Sequence, residues 1–252
     1  MEKTRFKSLL FFFIAVLIGI ILFEEANYEY TYRVETAYGD HAIYRLVLSM
    51  GNGQAGLNSL FFPVLAALPL GISYVREYKS GYLKLILQRM SLSKYMISKL
   101  LKNALAGGIA LVIPYYIYAI HLYFQLGDKS ELMIEEGQTA VMFLPNLAAG
   151  NTLKYILVLS IFVFLAGVTF ATFALGISAW IKNQFLTLAI PFALCIFVAI
   201  ITPDFKWDLL LLYSPNGYAE VSIGILAIMY ISLMIVGVIL FISGVIRNEK
   251  KE

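Results

Sequence analysis

The sequence predicts an all-α integral membrane protein with six transmembrane helices and both termini in the cytoplasm. Three observations carry this. First, 60% of the 252 residues are hydrophobic and only 14% are charged, where a soluble chain holds about 45–50% and 25%. Second, the apolar residues fall in runs close to the roughly 20 residues a helix needs to cross a bilayer, and mean hydropathy is +0.80. Third, lysine and arginine gather on alternate connecting segments.

The spans follow in order. The first covers 6–23 around "LLFFFIAVLIGIILF"; Lys3, Arg5 and Lys7 precede it, and no small-x-small cleavage site follows, so it reads as an uncleaved span. The others are 57–75, 103–124, 153–181, 185–202 and 221–246. The chain, 1–252, reads as one transmembrane unit with no internal repeat, low-complexity linker or soluble domain.

The positive-inside rule sets the orientation. With the N-terminus inside, the inner segments hold Lys3, Arg5, Lys7, Arg76, Lys79, Lys84, Arg89, Lys94, Lys99, Lys102, Lys182, Arg247, Lys250 and Lys251. The outer segments hold only Arg33, Arg45, Lys129, Lys154 and Lys206. The first outer segment, 24–56, is rich in tyrosine. Interfacial anchoring accounts for such residues in general, and Tyr28, Tyr30 and Tyr32 are the candidates for an outer substrate contact. The third outer segment carries an apolar run at Leu209–Leu212 and a turn at 214–217.

Several chemistries are missing. There is no phosphate-binding glycine loop ending in Lys-Ser/Thr and no HExxH pair, and the one cysteine, Cys195, rules out an internal disulfide. His41 and His121 stand alone. No catalytic, metal or cofactor-binding residue is assigned, and nothing points to nucleic acid. No Asp, Glu, Lys or Arg lies in the middle of a span, whereas ion-coupled carriers keep intramembrane charges. Energy for transport would therefore enter through a cytoplasmic contact. Prolines interrupt the spans at Pro63, Pro69, Pro114 and Pro191; each removes a helix N–H, and Pro69, Pro114 and Pro191 are the candidate hinges. Gly167, Ala171, Ala174 and Ser178 form a small-residue stripe that permits close helix packing.

The inner segment "VREYKSGYLKLILQRMSLSKYMISKLLKN" holds the remaining signal. Gly81 interrupts the helix that leaves span two. Over 83–90, Leu83, Ile86, Leu87 and Met90 share one helical face, with Lys84, Gln88 and Arg89 elsewhere. Leu85 falls on the polar side. "SLS" then makes a break, and Ser93 can cap a basic helix running into span three. Lysines resting on anionic headgroups would explain the charge. They would not explain Leu85 or the two breaks, which fit a short helix offering a knob to a cytoplasmic partner.

This segment resembles the first cytoplasmic loop of the type-2 ABC transporter permeases: an acid (Glu77), a glycine four residues on (Gly81), a short amphipathic helix (83–90), a serine turn (91–93) and a basic helix (94–102). The six-span plan and chain length agree with that family, and "WDLLLLYSPNGYAE" resembles its re-entrant helices before span six. "MEKTRFK" is too short for the interfacial helix that many members carry ahead of span one. The resemblance implies that 83–90 is a coupling helix docking in a groove of a separate ABC ATPase subunit. Leu85 is then the knob, Glu77 and Gly81 the junction, and Lys84 and Arg89 rim contacts. It further implies a permease subunit of an ATP-driven exporter in a bacterial plasma membrane, pairing with a second permease, identical or not. ATP and Mg2+ would bind the partner ATPase, so this chain would be no enzyme and hold no cofactor. The uncharged spans suit an amphipathic cargo: a peptide, an antibiotic or a lipid-linked molecule. The alternative from another class is a non-transporting sensor or immunity protein that binds a peptide through its outer loops.

Overall fold

A 29-residue helix, α8 (Thr152–Trp180), runs through the middle of the molecule, with the long helices Leu92–Leu126, Gln184–Ile201 and Ile223–Glu249 packed against it. In the computed structural model, residues 2–32, 42–51, 57–127, 143–201, 207–217 and 221–250 are described, with side chains at all of them except 2–5, 27–32, 149 and 217. In chain order the helices are α1 (Glu2–Tyr32), α2 (Ala42–Ser49), α3 (Leu57–Ala67), α4 (Ser73–Lys79), α5 (Tyr82–Leu87), α6 (Leu92–Leu126), α7 (Pro145–Gly150), α8, α9 (Gln184–Ile201) and α10 (Ile223–Glu249). Two 3-10 turns, Leu209–Leu212 and Pro215–Gly217, lie between α9 and α10. No strand occurs among the described residues. Among the described residues, five helices are long and apolar enough to cross a membrane: Phe6–Ala26 within α1, together with α6, α8, α9 and α10. The protein is a multi-pass, all-helical membrane protein.

Small residues bring α8 against its neighbours. A Cβ added to Gly167 would lie 2.5 Å from the Gly107 carbonyl oxygen of α6. One added to Gly237 of α10 would lie 2.8 Å from the Phe173 backbone nitrogen, and one at Gly244 2.6 Å from Ala179 Cβ. Lipid tails are as apolar as leucine, so helices in a bilayer associate through this kind of backbone approach. Gly167, Ala171 and Ala174, from the small-residue stripe, sit in these contacts or are fully buried beside them.

The second span departs from expectation. It is not one helix over 57–75 but two, α3 and α4, separated by a turn at 68–72. Pro69 brings no N–H to a helix ladder, and Gly71 follows two residues later. The Gly71 N–H closes on the Ala67 carbonyl at 2.8 Å, so tightly that a Cβ there would lie 2.5 Å from the same oxygen. Pro63, Pro114 and Pro191 produce no such break and lie inside α3, α6 and α9. The Pro114 ring fits a notch that only glycine allows, 2.7 Å from where a Cβ would stand on Gly19 of α1.

The third helix begins earlier than 103. α6 starts at Leu92 and continues unbroken for 35 residues. Its N-cap is Ser91 in extended conformation with no side-chain capping bond, and Ser93, expected as the cap, lies inside the first turn. α2 and α7 were not foreseen. α2 follows α1 in the chain and buries Ile43, Leu46, Val47 and Arg45, while Ser49 Oγ bonds Tyr118 Oη of α6 at 2.8 Å.

The two ends of the bundle differ in membership. One gathers α4, α5 and the start of α6 with the start of α1 and the ends of α8 and α10. Arg76 Nη2 donates to Ser8 Oγ at 3.4 Å, and Asn248 Nδ2 donates to Tyr74 Oη at 3.0 Å and to the Ala179 carbonyl at 2.8 Å. The far end holds α2, α7, the start of α8 and the 3-10 turns. There Asn216 Oδ1 accepts the Phe143 N–H at 3.0 Å, Asn216 Nδ2 donates to Tyr155 Oη at 3.1 Å, and Tyr230 Oη donates to the Leu212 carbonyl. The run Leu209–Leu212, read as re-entrant, forms a partly buried 3-10 turn capped by Asp208, whose Oδ1 accepts the Leu210 N–H at 2.9 Å.

Candidate functional site

The chain from α4 to α6 turns sharply because Gly81 occupies the left-handed region at φ 70, where a side chain would be strained. α4 closes ahead of it through Ser80 N–H to the Arg76 carbonyl and Gly81 N–H to the Tyr78 carbonyl, both at 3.1 Å. α5 is shorter than the 83–90 expected from periodicity. It covers Tyr82–Leu87, and a turn follows in which the Gln88 and Met90 N–H groups bond the Lys84 and Ile86 carbonyls at 3.1 Å.

The faces of this short helix are unlike. Leu83 is buried, and Ile86, Leu87 and Met90 pack with it on a cluster made by Tyr74, Tyr95, Leu175, Ala179, Phe241 and Val245. The apolar face is therefore covered by α4, α6, α8 and α10. Leu85 points the other way and is 55% exposed, flanked by exposed Lys84, Gln88 and Arg89. The Tyr74 ring meets Phe241 edge-on with centroids 5.7 Å apart, which ties α4 to α10 beneath α5.

Glu77 is the polar centre of this corner. Its carboxylate is nearly buried on α4, and its partners lie on α6: Tyr95 Oη donates to Oε2 at 2.7 Å, and Lys99 Nζ pairs with Oε1. Both side chains of the ion pair are close to nine-tenths buried, so neither can lose the other without leaving a charge in apolar surroundings. Four cation–ring contacts surround the corner: Lys182 over Tyr78 at 2.8 Å, Arg247 over Trp180 at 4.8 Å, Arg76 over Phe11 at 5.2 Å and Lys99 over Tyr95 at 5.9 Å.

Glu77, Gly81 and 83–90 thus come together at one corner with α5 at its surface. Pro69 belongs to the turn just before α4, whereas Pro114 and Pro191 sit in helix interiors away from α5. Tyr28, Tyr30 and Tyr32 fall on the last turns of α1, and their side chains lie outside those described, as does His41. His121 is exposed on α6. Reading the sequence missed Tyr95, Lys99, Tyr74 and Asn248. The one available signal was the four-residue spacing of Tyr95 and Lys99, which places both on one helix face.

Fold and corner together define a polytopic helical membrane protein carrying a short surface helix braced from beneath. Among the described residues no group of three or more His, Cys, Asp or Glu is arranged to hold a metal. No protein-family model matches the chain, and neither a curated protein nor a solved structure matches it.

Proposed function

We propose that this chain is the membrane-spanning permease subunit of an ATP-driven exporter, with α5 as the element that receives motion from a separate cytoplasmic ABC ATPase. The observation that carries this reading is Leu85. An amphipathic helix lying on headgroups would direct its leucines at lipid. Here the apolar face of α5 is already covered by the protein, and the one leucine left over stands exposed among Lys84, Gln88 and Arg89. An apolar anchor inside a polar rim is the usual plan of a protein-binding hot spot.

Counting α3 and α4 as one interrupted span gives six passes, and the contacts of Ser8 and Asn248 support having both termini beside α5. The excess of lysine and arginine on that side then makes it cytoplasmic. Motion entering at Leu85 has a physical route onward. Leu83, Ile86, Leu87 and Met90 bear on Tyr74, Phe241 and Val245, and Glu77 links α4 to α6 through Tyr95 and Lys99. The turn at 68–72 lets α4 follow α5 while α3 stays packed on α8. Two such chains would frame the path, and their uncharged spans suit an amphipathic cargo.

Leu85→Asp tests this. Co-expressed with its ATPase, the variant should insert and unfold like wild type yet lose ATPase co-purification or substrate-stimulated hydrolysis by tenfold or more. Wild-type coupling in Leu85→Asp would remove the docking reading.

A further inference from the structure

A cleft of about 860 Å³ opens beside α5, between the start of α1, the 68–72 turn with α4, and the first turns of α6. Its lining changes character along one direction. At the α5 end it presents Arg89, Lys99 and Lys102 with Ser98, and Glu77 is the one acid. Glu77 already holds Lys99 and Tyr95, so the mouth keeps a net positive charge, with Lys102 and Arg89 exposed to whatever enters. Deeper in, the walls are Leu9, Phe12, Pro69, Leu70 and Ala106.

The gradient follows helix geometry. Ser98, Lys99, Lys102 and Ala106 share one face of α6, and the seven steps from Lys99 to Ala106 rise roughly 10 Å at 1.5 Å each. Leu9 and Phe12 face them from α1. The 68–72 turn leaves room that a continuous second helix would fill. A cationic mouth passing over about 10 Å into an apolar shaft parallel to membrane-spanning helices has the polarity profile of a lipid that keeps its phosphate at the interface and its acyl chain inside. Basic pockets between helices at the cytoplasmic side are a recurrent means of holding anionic headgroups. A partner approaching from water would meet Arg89 but has no reason to find apolar walls two turns further in.

We propose that this cleft binds one anionic phospholipid, its phosphodiester between Lys102, Lys99 and Arg89 and one acyl chain along Phe12, Leu70 and Ala106. The cleft shares Leu85 and Arg89 at its rim with the proposed ATPase contact, while its lysines and apolar walls come from α6, α1 and the 68–72 turn, and the lipid holds the interrupted second span against α1 and α6.

The test is native mass spectrometry of the purified full chain in detergent, titrated with phosphatidylglycerol or phosphatidylcholine of the same acyl chains. One phosphatidylglycerol should be retained, at least tenfold more tightly than phosphatidylcholine. Lys102→Glu should weaken phosphatidylglycerol about tenfold, and Ala106→Phe, which fills the shaft, should expel it, while Lys84→Glu, exposed on α5 outside the cleft lining, leaves it bound. Equal retention of the two lipids would overturn the site, and this comparison needs no variant. So would wild-type retention in both cleft variants, complete displacement by inorganic phosphate alone, or a second copy of the chain occupying the cleft in cross-linked dimers. Lipid retention lost in Lys84→Glu as strongly as in Lys102→Glu would mean that the lipid answers to the charge of this end of the protein and not to the cleft, and would overturn the site.

Discussion

α8 and the apolar stretch from Leu57 to Val75 both contain glycine, yet one runs unbroken for 29 residues and the other stops at Ala67 and restarts at Ser73. The difference lies in where the small residues point. In α8, Gly167 and Gly176 face the backbones of α6 and α10, so their lack of a side chain serves packing between helices. In "LPLG", Gly71 folds back on the Ala67 carbonyl of its own chain beside a proline, so the same lack serves a turn. The first makes a strut. The second makes a joint, and α5 and the Glu77 corner hang on the far side of it.

The strut should be the costlier to damage. Gly167→Leu forces a side chain into the Gly107 backbone, where no rotamer relieves it. Overpacking of this severity costs about 3 kcal/mol or more, read as loss of folded protein in detergent or a sharp drop in unfolding temperature. Next comes the corner. Glu77→Ala leaves the Lys99 ammonium nearly buried without its acceptor, a loss of about 3 kcal/mol. Adding Lys99→Met should restore part of it, and a double-mutant cycle measures the coupling. Strictly additive losses would mean that the pair does not hold α4 to α6. In the joint, Gly71→Ala sets a Cβ 2.5 Å from the Ala67 carbonyl oxygen of its own turn, so the added methyl must move backbone, and about 1–3 kcal/mol is expected.

The smallest effect lies at the far end. Burial holds the Asp208 carboxyl above its ordinary value, and the Leu210 N–H bond pulls in the opposite direction. A pKa raised by folding favours the fold while the group is protonated, and that contribution is lost as pH rises through the folded value. Asp208→Asn keeps an acceptor oxygen for Leu210 and removes the charge. It should stabilise the protein at pH 7 by under about 1 kcal/mol, and the gain should vanish below the unfolded carboxylate value near 3.9. Thermal unfolding across pH checks this.

Long helices were legible because hydropathy summed over a span is insensitive to detail. The expected 153–181 and 185–202 match α8 and α9 within a residue at each end. The same averaging hid the joint, since Pro69 and Pro114 look alike in an apolar run. Only the nearby Gly71 in one case, and the Gly19 notch on another helix in the other, separate them. α2 was lost inside a tyrosine-rich segment, although Ile43, Leu46, Val47 and Met50 have helical spacing. The unlike faces of α5 were visible from periodicity, but what covers the apolar one was not, because Leu175 and Phe241 come from helices far along the chain. Glu77 stood out as the lone acid in a basic segment, and its bond to Lys99, 22 residues away on another helix, could not be inferred from spacing.

If α5 offers its outer face to an ATPase, that face should become shielded when the ATPase binds. Cys195 is buried, so Cys195→Ala supplies a thiol-free background in which Leu85→Cys and Leu83→Cys can be compared with a membrane-impermeant maleimide on inside-out vesicles. Rapid labelling is expected at 85, little at 83, and protection of 85 when the ATPase is co-expressed. Labelling at 85 that the ATPase leaves unchanged, or equal labelling at both positions, would contradict this reading of α5.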